Sequence, residues 1–224
     1  MSLIFSSLRD TVDLLQFLHE KFAWSVQLWI KSDIGVTCKQ LYESHEDWSA
    51  MDFYEVVRTR RSVRSYRPDP IPDNVLNRVL DTARISPSGS NRQPWKFILV
   101  KDEDVKRKLV PMCGDQAFIS EAPLVIVACG QNIHYNRGGY MGDMSMLVDV
   151  SIAVDHLTLA ARAEGLGTCW IGLFNNESVK KLLQMPEDVN VVALVPIGYP
   201  RGKAFKEPES RKSLSEITSI NKYQ

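Results

Sequence analysis

The sequence predicts a helix-and-sheet sandwich of the α/β or α+β type. Apolar runs of strand length alternate with stretches of helical period, so the strands are separated by helices. One run, A-P-L-V-I-V-A-C at 122–129, is apolar at odd and even positions alike. A strand of that kind needs cover on both faces of its sheet. The 224 residues, 44% of them hydrophobic, suffice for one substantial core, or one core and a small appendage.

The elements follow in chain order. Residues 7–31 set Leu8, Val12, Leu15, Leu18, Phe22, Val26 and Trp29 at steps of three and four, which is one face of a helix. Leu14, Phe17, Trp24, Leu28 and Ile30 widen that face, so the helix wants a partner: its own globule, a second subunit or a membrane surface. The polar side mixes Asp13 and Glu20 with Arg9 and Lys31, which favours protein over membrane. Residues 32–51 are a polar connection. The expected division is therefore an N-terminal helical extension at 1–50 and a main domain at 51–224.

The main domain opens with a short helix after Asp52, a candidate N-cap. Pro68, Pro70 and Pro72 break the chain, and Asp73 is the expected cap of a helix carrying Val75, Leu76, Val79, Leu80 and Ala83. That helix stops at a turn cluster, 86–90. A strand at 96–100, a short helix at 104–109 and the buried strand follow. Residues 130–146, rich in glycine and methionine and without a clear period, read as a flexible loop or lid. A helix at 149–164 ends at Gly165. A strand at 168–171, a helix at 177–183, a buried strand at 191–197 and a basic, weakly structured tail from 201 complete the chain.

Composition excludes some functions. Lysine plus arginine equal aspartate plus glutamate at 27 each, against the basic excess of a nucleic-acid binder. The cysteines at 38, 113, 129 and 169 form no C-x-x-C pair, and Cys129 and Cys169 read as small core residues, which suits a reducing, cytoplasmic setting. No apolar run reaches the ~18–20 residues of a membrane span, and the N-terminus lacks the pattern of a signal peptide. There is no G-x-G-x-x-G after a strand, no phosphate loop with Gly-Lys-Ser/Thr, no G-x-S-x-G elbow and no H-E-x-x-H. His156 reads as a packed helix residue, and Asp143 and Asp149 as a solvated face or a helix cap. No metal site is expected.

Three polar clusters remain. Residues 58–67 hold Arg58, Arg60, Arg61, Arg64 and Arg67 interleaved with hydroxyls, a mixture suited to a phosphate and its neighbouring hydroxyls. P-S-G-S-N-R-Q-P-W at 87–95 is a tight turn before a strand, able to bind a polar heterocycle or a polyol, or an ordinary loop. Arg211 and Lys212 return positive charge near the C-terminus. With no nucleophile, base or metal motif beside them, the three clusters suggest a phosphorylated cofactor that performs the chemistry.

R-R-S-V-R at 60–64, P-S-G-S-N-R-Q-P-W at 87–95, G-L-G-T-C-W-I-G at 165–172, P-I-G-Y-P at 196–200 and the basic pair at 211–212 resemble the nitroreductase-like flavoproteins, compact members in particular, from about Met51 to the end. The resemblance implies an α+β two-layer sandwich with a mostly antiparallel central sheet flanked by helices. It implies a homodimer with FMN in the subunit interface, and ping-pong transfer of two electrons from NADH or NADPH to a nitroaromatic, quinone or similar acceptor. By it, Arg60, Arg61 and Ser62 contact the FMN phosphate or ribityl chain and Arg64 the pyrimidine edge. Pro87, Ser88, Ser90 and Asn91 come from the partner subunit, Ile171 and Gly172 bring backbone N–H groups to N5, and Arg211 completes the phosphate site. No catalytic side chain is implied, and Arg58 and Arg67 are left as surface or salt-bridge residues.

Two departures qualify the resemblance. Ile171 stands where many larger members carry glutamate, and residues 1–50 have no counterpart in the short family pattern. Alternative functions are reductive dehalogenation or another specialised flavin chemistry, or non-catalytic FMN binding. Relatives that remove iodide from tyrosines use a glutamate, a tyrosine and a lysine in the lid; residues 130–146 hold Tyr135 and Tyr140 but neither Glu nor Lys.

Overall fold

The computed structural model describes residues 51–131 and 139–223. The extension expected at 1–50 and the first half of the expected lid lie outside the described residues. Helix α1 (Phe53–Thr59) begins where the Asp52 carboxylate accepts the N–H groups of Tyr54 and Glu55 at 2.9 and 3.2 Å, as its sequence position predicts. Helix α2 (Asp73–Arg84) differs from expectation at its start: Pro72 is the N-cap and Asp73 the first helical residue, where its carboxylate still faces the positive end of the helix.

Strand β1 (Trp95–Val100) leads to α3 (Glu103–Met112), capped by the Asp102 carboxylate, and to a four-residue helix α4 (Phe118–Glu121), too short to leave a period in the sequence. Then come β2 (Leu124–Gln131), α5 (Gly139–Ala163), β3 (Gly167–Thr168), α6 (Asn176–Leu182), β4 (Val189–Gly198) and a last short helix α7 (Leu214–Ile217). The strands form one antiparallel sheet in the order β1-β2-β4-β3. Trp95 lies opposite Gly130, Leu124 opposite Ile197, and a bulge between Ala128 and Cys129 shifts the register of β2 against β4. Helices and an antiparallel sheet make this an α+β fold.

The buried run at 122–129 behaves as its composition requires. Leu124, Ile126 and Ala128 point to one face, against α2 and α5 through Leu76, Val79, Val150 and Leu157. Val125 and Val127 point to the other, against α3, α4 and α6 through Leu109, Ile119 and Val179. Fully burying side chains of this size stabilises by roughly 1.5–3 kcal/mol each.

Helix α5 corrects the expected loop at 130–146, because residues 139–146 are already helical. Its buried positions there are Gly142, Ser145, Met146 and Asp149, continuing into Val150 and Ala153. The spacing is helical, but small and polar residues occupy it, so hydropathy hides the period. By length and composition α5 could cross a bilayer, yet half of its apolar window is buried inside the domain.

Candidate functional site

The arginine segment leaves α1 and runs beside β3. Val63 N–H donates to Thr168 O at 2.9 Å, and Ser62 bridges Thr168 in parallel. Further on, Tyr66 bridges Pro200 and Arg67 N–H donates to Tyr199 O. Tyr66 is wholly buried; its hydroxyl lies 2.6 Å from Val63 O and 3.1 Å from Pro196 O, and burial raises its phenol well above the ordinary value. Gly167 makes the close approach possible, since a Cβ there would stand 2.6 Å from Val63 Cγ2.

The arginines divide. Arg58 pairs with Glu207 at 3.0 Å; Arg67 pairs with Asp69 and lies over the Tyr199 ring, so both have structural partners. The Arg61 guanidinium donates to Arg58 O and Arg60 O, which fixes it across the end of α1. Among the described residues no carboxylate pairs with Arg60 or Arg64. Cys169, buried beside them, has its thiol pushed up by burial, against the opposing charge of Arg64, a hydrogen bond with Ser62 and the charge of Arg60.

Past β3 the chain turns outward. Ile171 bridges Leu194: its N–H donates to Leu194 O at 2.9 Å and its carbonyl accepts from Leu194 N–H at 3.2 Å. Both of its backbone groups are engaged, so the expected Ile171 N–H donor is committed to the sheet edge. Gly172 N–H has no partner among the described residues. A Cβ at Gly172 would meet only the Trp170 indole, at 3.6 Å, so nothing in the chain itself demands glycine there.

The tail returns to the same region. Phe205 packs against the small cluster of Val63, Tyr66 and Ala122. Glu207 holds Arg58, and the Glu209 carboxyl is drawn below its ordinary range by Lys206 and, less, by Arg61. Arg211 is two residues further, within about 7 Å of chain. The structure thus holds the segment of Arg60, Arg61, Ser62 and Arg64 against β3, with Gly172 four residues beyond Thr168 in the chain and Arg211 two residues beyond Glu209, whose carboxyl feels the charge of Arg61.

It does not bring residues 87–91 to them. Ser88 precedes a single 3-10 turn, Gly89–Asn91, in which Ser90 and Asn91 adopt φ of 52° and 54°; Gln93 follows at 50°. Left-handed backbone at non-glycine residues costs about 1–3 kcal/mol each and persists only where the surroundings over-determine it. Here Gln93 N–H donates to Ser88 Oγ at 2.9 Å, Asn91 N–H to Ser88 O at 3.0 Å, and Gly89 N–H to Asp149 Oδ1 at 3.0 Å. Pro87, Ser90 and Asn91 stay exposed. The loop is fixed to α5 at Asp149, whereas the arginine segment meets α5 at Arg162, whose Nε donates to Thr59 Oγ1. At ~1.5 Å per residue those points are about 20 Å apart along α5.

Asp149 is a residue that hydropathy misplaces. It is neither cap nor solvated but buried inside α5, and only the 142–145/146–149/150 spacing exposes it. His156 is half-buried with Nδ1 2.8 Å from Ser86 Oγ, a packed helix residue. Among the described residues no three His, Cys, Asp or Glu side chains gather as a metal site.

Among the described residues, Arg60 and Arg64 without carboxylate partners, the Ser62 hydroxyl and the unpaired Gly172 amide are the polar groups left available for a ligand. The model of the nitroreductase family matches residues 57–144 and 113–199, and the chain belongs to this family. A nitroreductase family protein of Clostridium difficile 630 is 31% identical; the match covers 77% of this chain and all of that one, with a TM-score of 0.68. FMN reductase [NAD(P)H] of Bacillus subtilis is 28% identical over 69% of each chain. Human iodotyrosine deiodinase 1 is 26% identical over 94% of this chain and 82% of its own, so that match reaches into residues 1–50.

Proposed function

We propose that this chain is an FMN-dependent oxidoreductase that passes two electrons from NADH or NADPH to a nitroaromatic, quinone or similar acceptor in a ping-pong cycle. The observation that carries the reading is the Arg60–Arg64 segment held against β3, the strand that leads on to the unpaired Gly172 amide. Bound FMN would supply the two-electron chemistry between nicotinamide and acceptor. The residues fit that cofactor: among the described residues Arg60 and Arg64 have no carboxylate partner, and Gly172 carries no side chain to obstruct its unpaired N–H.

In this reading Arg60, Arg61, Ser62 and Arg211 bind the phosphate and ribityl chain. Arg64 places a fixed cation at the pyrimidine edge, where negative charge accumulates on reduction. Gly172 N–H, unpaired among the described residues, would be a backbone donor to the ring. Pro87, Ser88, Ser90 and Asn91 serve the site of a partner subunit, because in their own chain they stand about 20 Å along α5 from the arginine segment. A homodimer is supported by the outer face of α5. Met141, Met144, Leu147 and Val148 are exposed there, and near Phe53 and Ile85 a cavity of about 570 Å³ opens. The buried free thiols Cys113, Cys129 and Cys169 suit the cytoplasm.

Anaerobic stopped-flow mixing of the flavin-loaded protein with NADH or NADPH tests the reading. Loss of the oxidised-flavin absorbance with one of them, and its return on adding a quinone, is expected; no bleaching with either sinks it. A second reading, reductive dehalogenation, is favoured by the near-complete match to human iodotyrosine deiodinase 1. Halide release from a halotyrosine under nitrogen, with dithionite as the two-electron reductant and without turnover of nitroaromatics, would select it.

A further inference from the structure

Arg162 lies near the C-terminal end of α5, 6% exposed, in a helix fixed to the core by Leu157 and Ala161. It touches two other parts of the chain. Its Nε donates at 2.9 Å to Thr59 Oγ1, which in turn donates at 2.6 Å to Glu55 O, tying the last turn of α1. Its guanidinium carbon, Cζ, lies over the Phe205 ring of the tail, 4.1 Å from the ring centre. Glu55 stands 4.0 Å from Nη2. Thr59 directly precedes Arg60 and Arg61, and Phe205 begins the stretch in which Glu207 grips Arg58 and Arg211 follows.

One cation thus holds, by a hydrogen bond from Nε and by a cation–π contact, the two segments that carry the candidate arginines, one from each end of the domain. Lysine can supply the charge, but not a hydrogen bond from Nε together with a guanidinium placed over the ring. We propose that Arg162 is a positioning residue for the phosphate end of the site, holding the Arg60–Arg61 segment and the Arg211 tail in register with each other. This rests on the reading of those arginines as phosphate ligands.

The test compares FMN with riboflavin, which has the same ring and no phosphate. Each is titrated into apoprotein by flavin fluorescence, for the wild type and for Arg162→Lys, Thr59→Val and Phe205→Leu. Losing a hydrogen bond or stack to a charged group predicts roughly tenfold weaker FMN binding in Arg162→Lys, with riboflavin affinity within about twofold of wild type. Thr59→Val and Phe205→Leu move the same ratio in the same direction. An unchanged FMN-to-riboflavin ratio in Arg162→Lys and Thr59→Val overturns the proposal, as does a parallel loss of both ligands, which marks a merely structural role. Equal wild-type affinity for the two flavins removes the phosphate reading itself, and the proposal with it.

Discussion

Replacing Gly167 by alanine presses on the point where the arginine segment is held. An added Cβ would stand 2.6, 2.8 and 2.9 Å from Val63 Cγ2, Cβ and Cγ1. Carbon atoms in contact prefer ~3.5–4.0 Å, so either Val63 or β3 must move by roughly 1 Å. Val63 cannot move alone. Its N–H is bonded to Thr168 O, its carbonyl accepts from the buried Tyr66 hydroxyl, and Ser62 and Arg64 flank it. Overpacking of this kind costs about 1–3 kcal/mol, a fall in melting temperature of roughly 2–12 °C for a domain of this size. The same displacement moves Ser62 and Arg64, so FMN affinity should fall about tenfold or more. Thermal melts without flavin and FMN titrations measure the two effects. The double variant G167A/V63A removes two of the three contacts and should recover part of both losses. A G167A protein that melts lower yet binds FMN like wild type would refute the view that β3 sets the position of the arginine segment.

Arg64→Ala should slow flavin reduction more than it weakens FMN binding, and Arg60→Ala the reverse; equal effects on both in stopped-flow and titration erase that division of roles. Asp149→Ala leaves the buried Gly89 N–H without its acceptor, a loss of about 1–3 kcal/mol by urea denaturation, with weaker FMN binding because the 87–91 loop loses its anchor. Unchanged FMN binding in that variant would remove the loop from the site. Burial pushes the Cys113 thiol from 9.0 up to about 11. On raising the pH the unfolded chain loses this proton first, so its contribution is whole below pH 9 and is lost toward pH 11, at most about 3 kcal/mol in all. Urea midpoints at pH 8 and 10.5 should therefore fall less in C113A than in wild type; equal falls would contradict the assignment.

What the sequence disclosed depended on where polarity coincided with burial. β2 was legible because both of its faces are apolar, and α1 because Asp52 is an ordinary cap. The first turns of α5 were not, since Gly142, Ser145 and Asp149 fill buried positions that hydropathy expects to be apolar. The arginine segment was legible as chemistry, through five guanidinium groups in ten residues. Its supports were not, because Thr59, Tyr66, Arg162 and Phe205 meet only after α1, β4, α5 and the tail have packed. The Ile171 N–H shows the same limit from the other side. The motif suggested a free donor, and pairing with Leu194 uses it.

The flavin content of the purified protein tests the central claim most directly. Denaturing the protein and identifying what it releases by absorbance and chromatography should give FMN, close to one per chain, from a yellow preparation or from one reconstituted with FMN. A colourless protein that takes up no FMN would contradict the account.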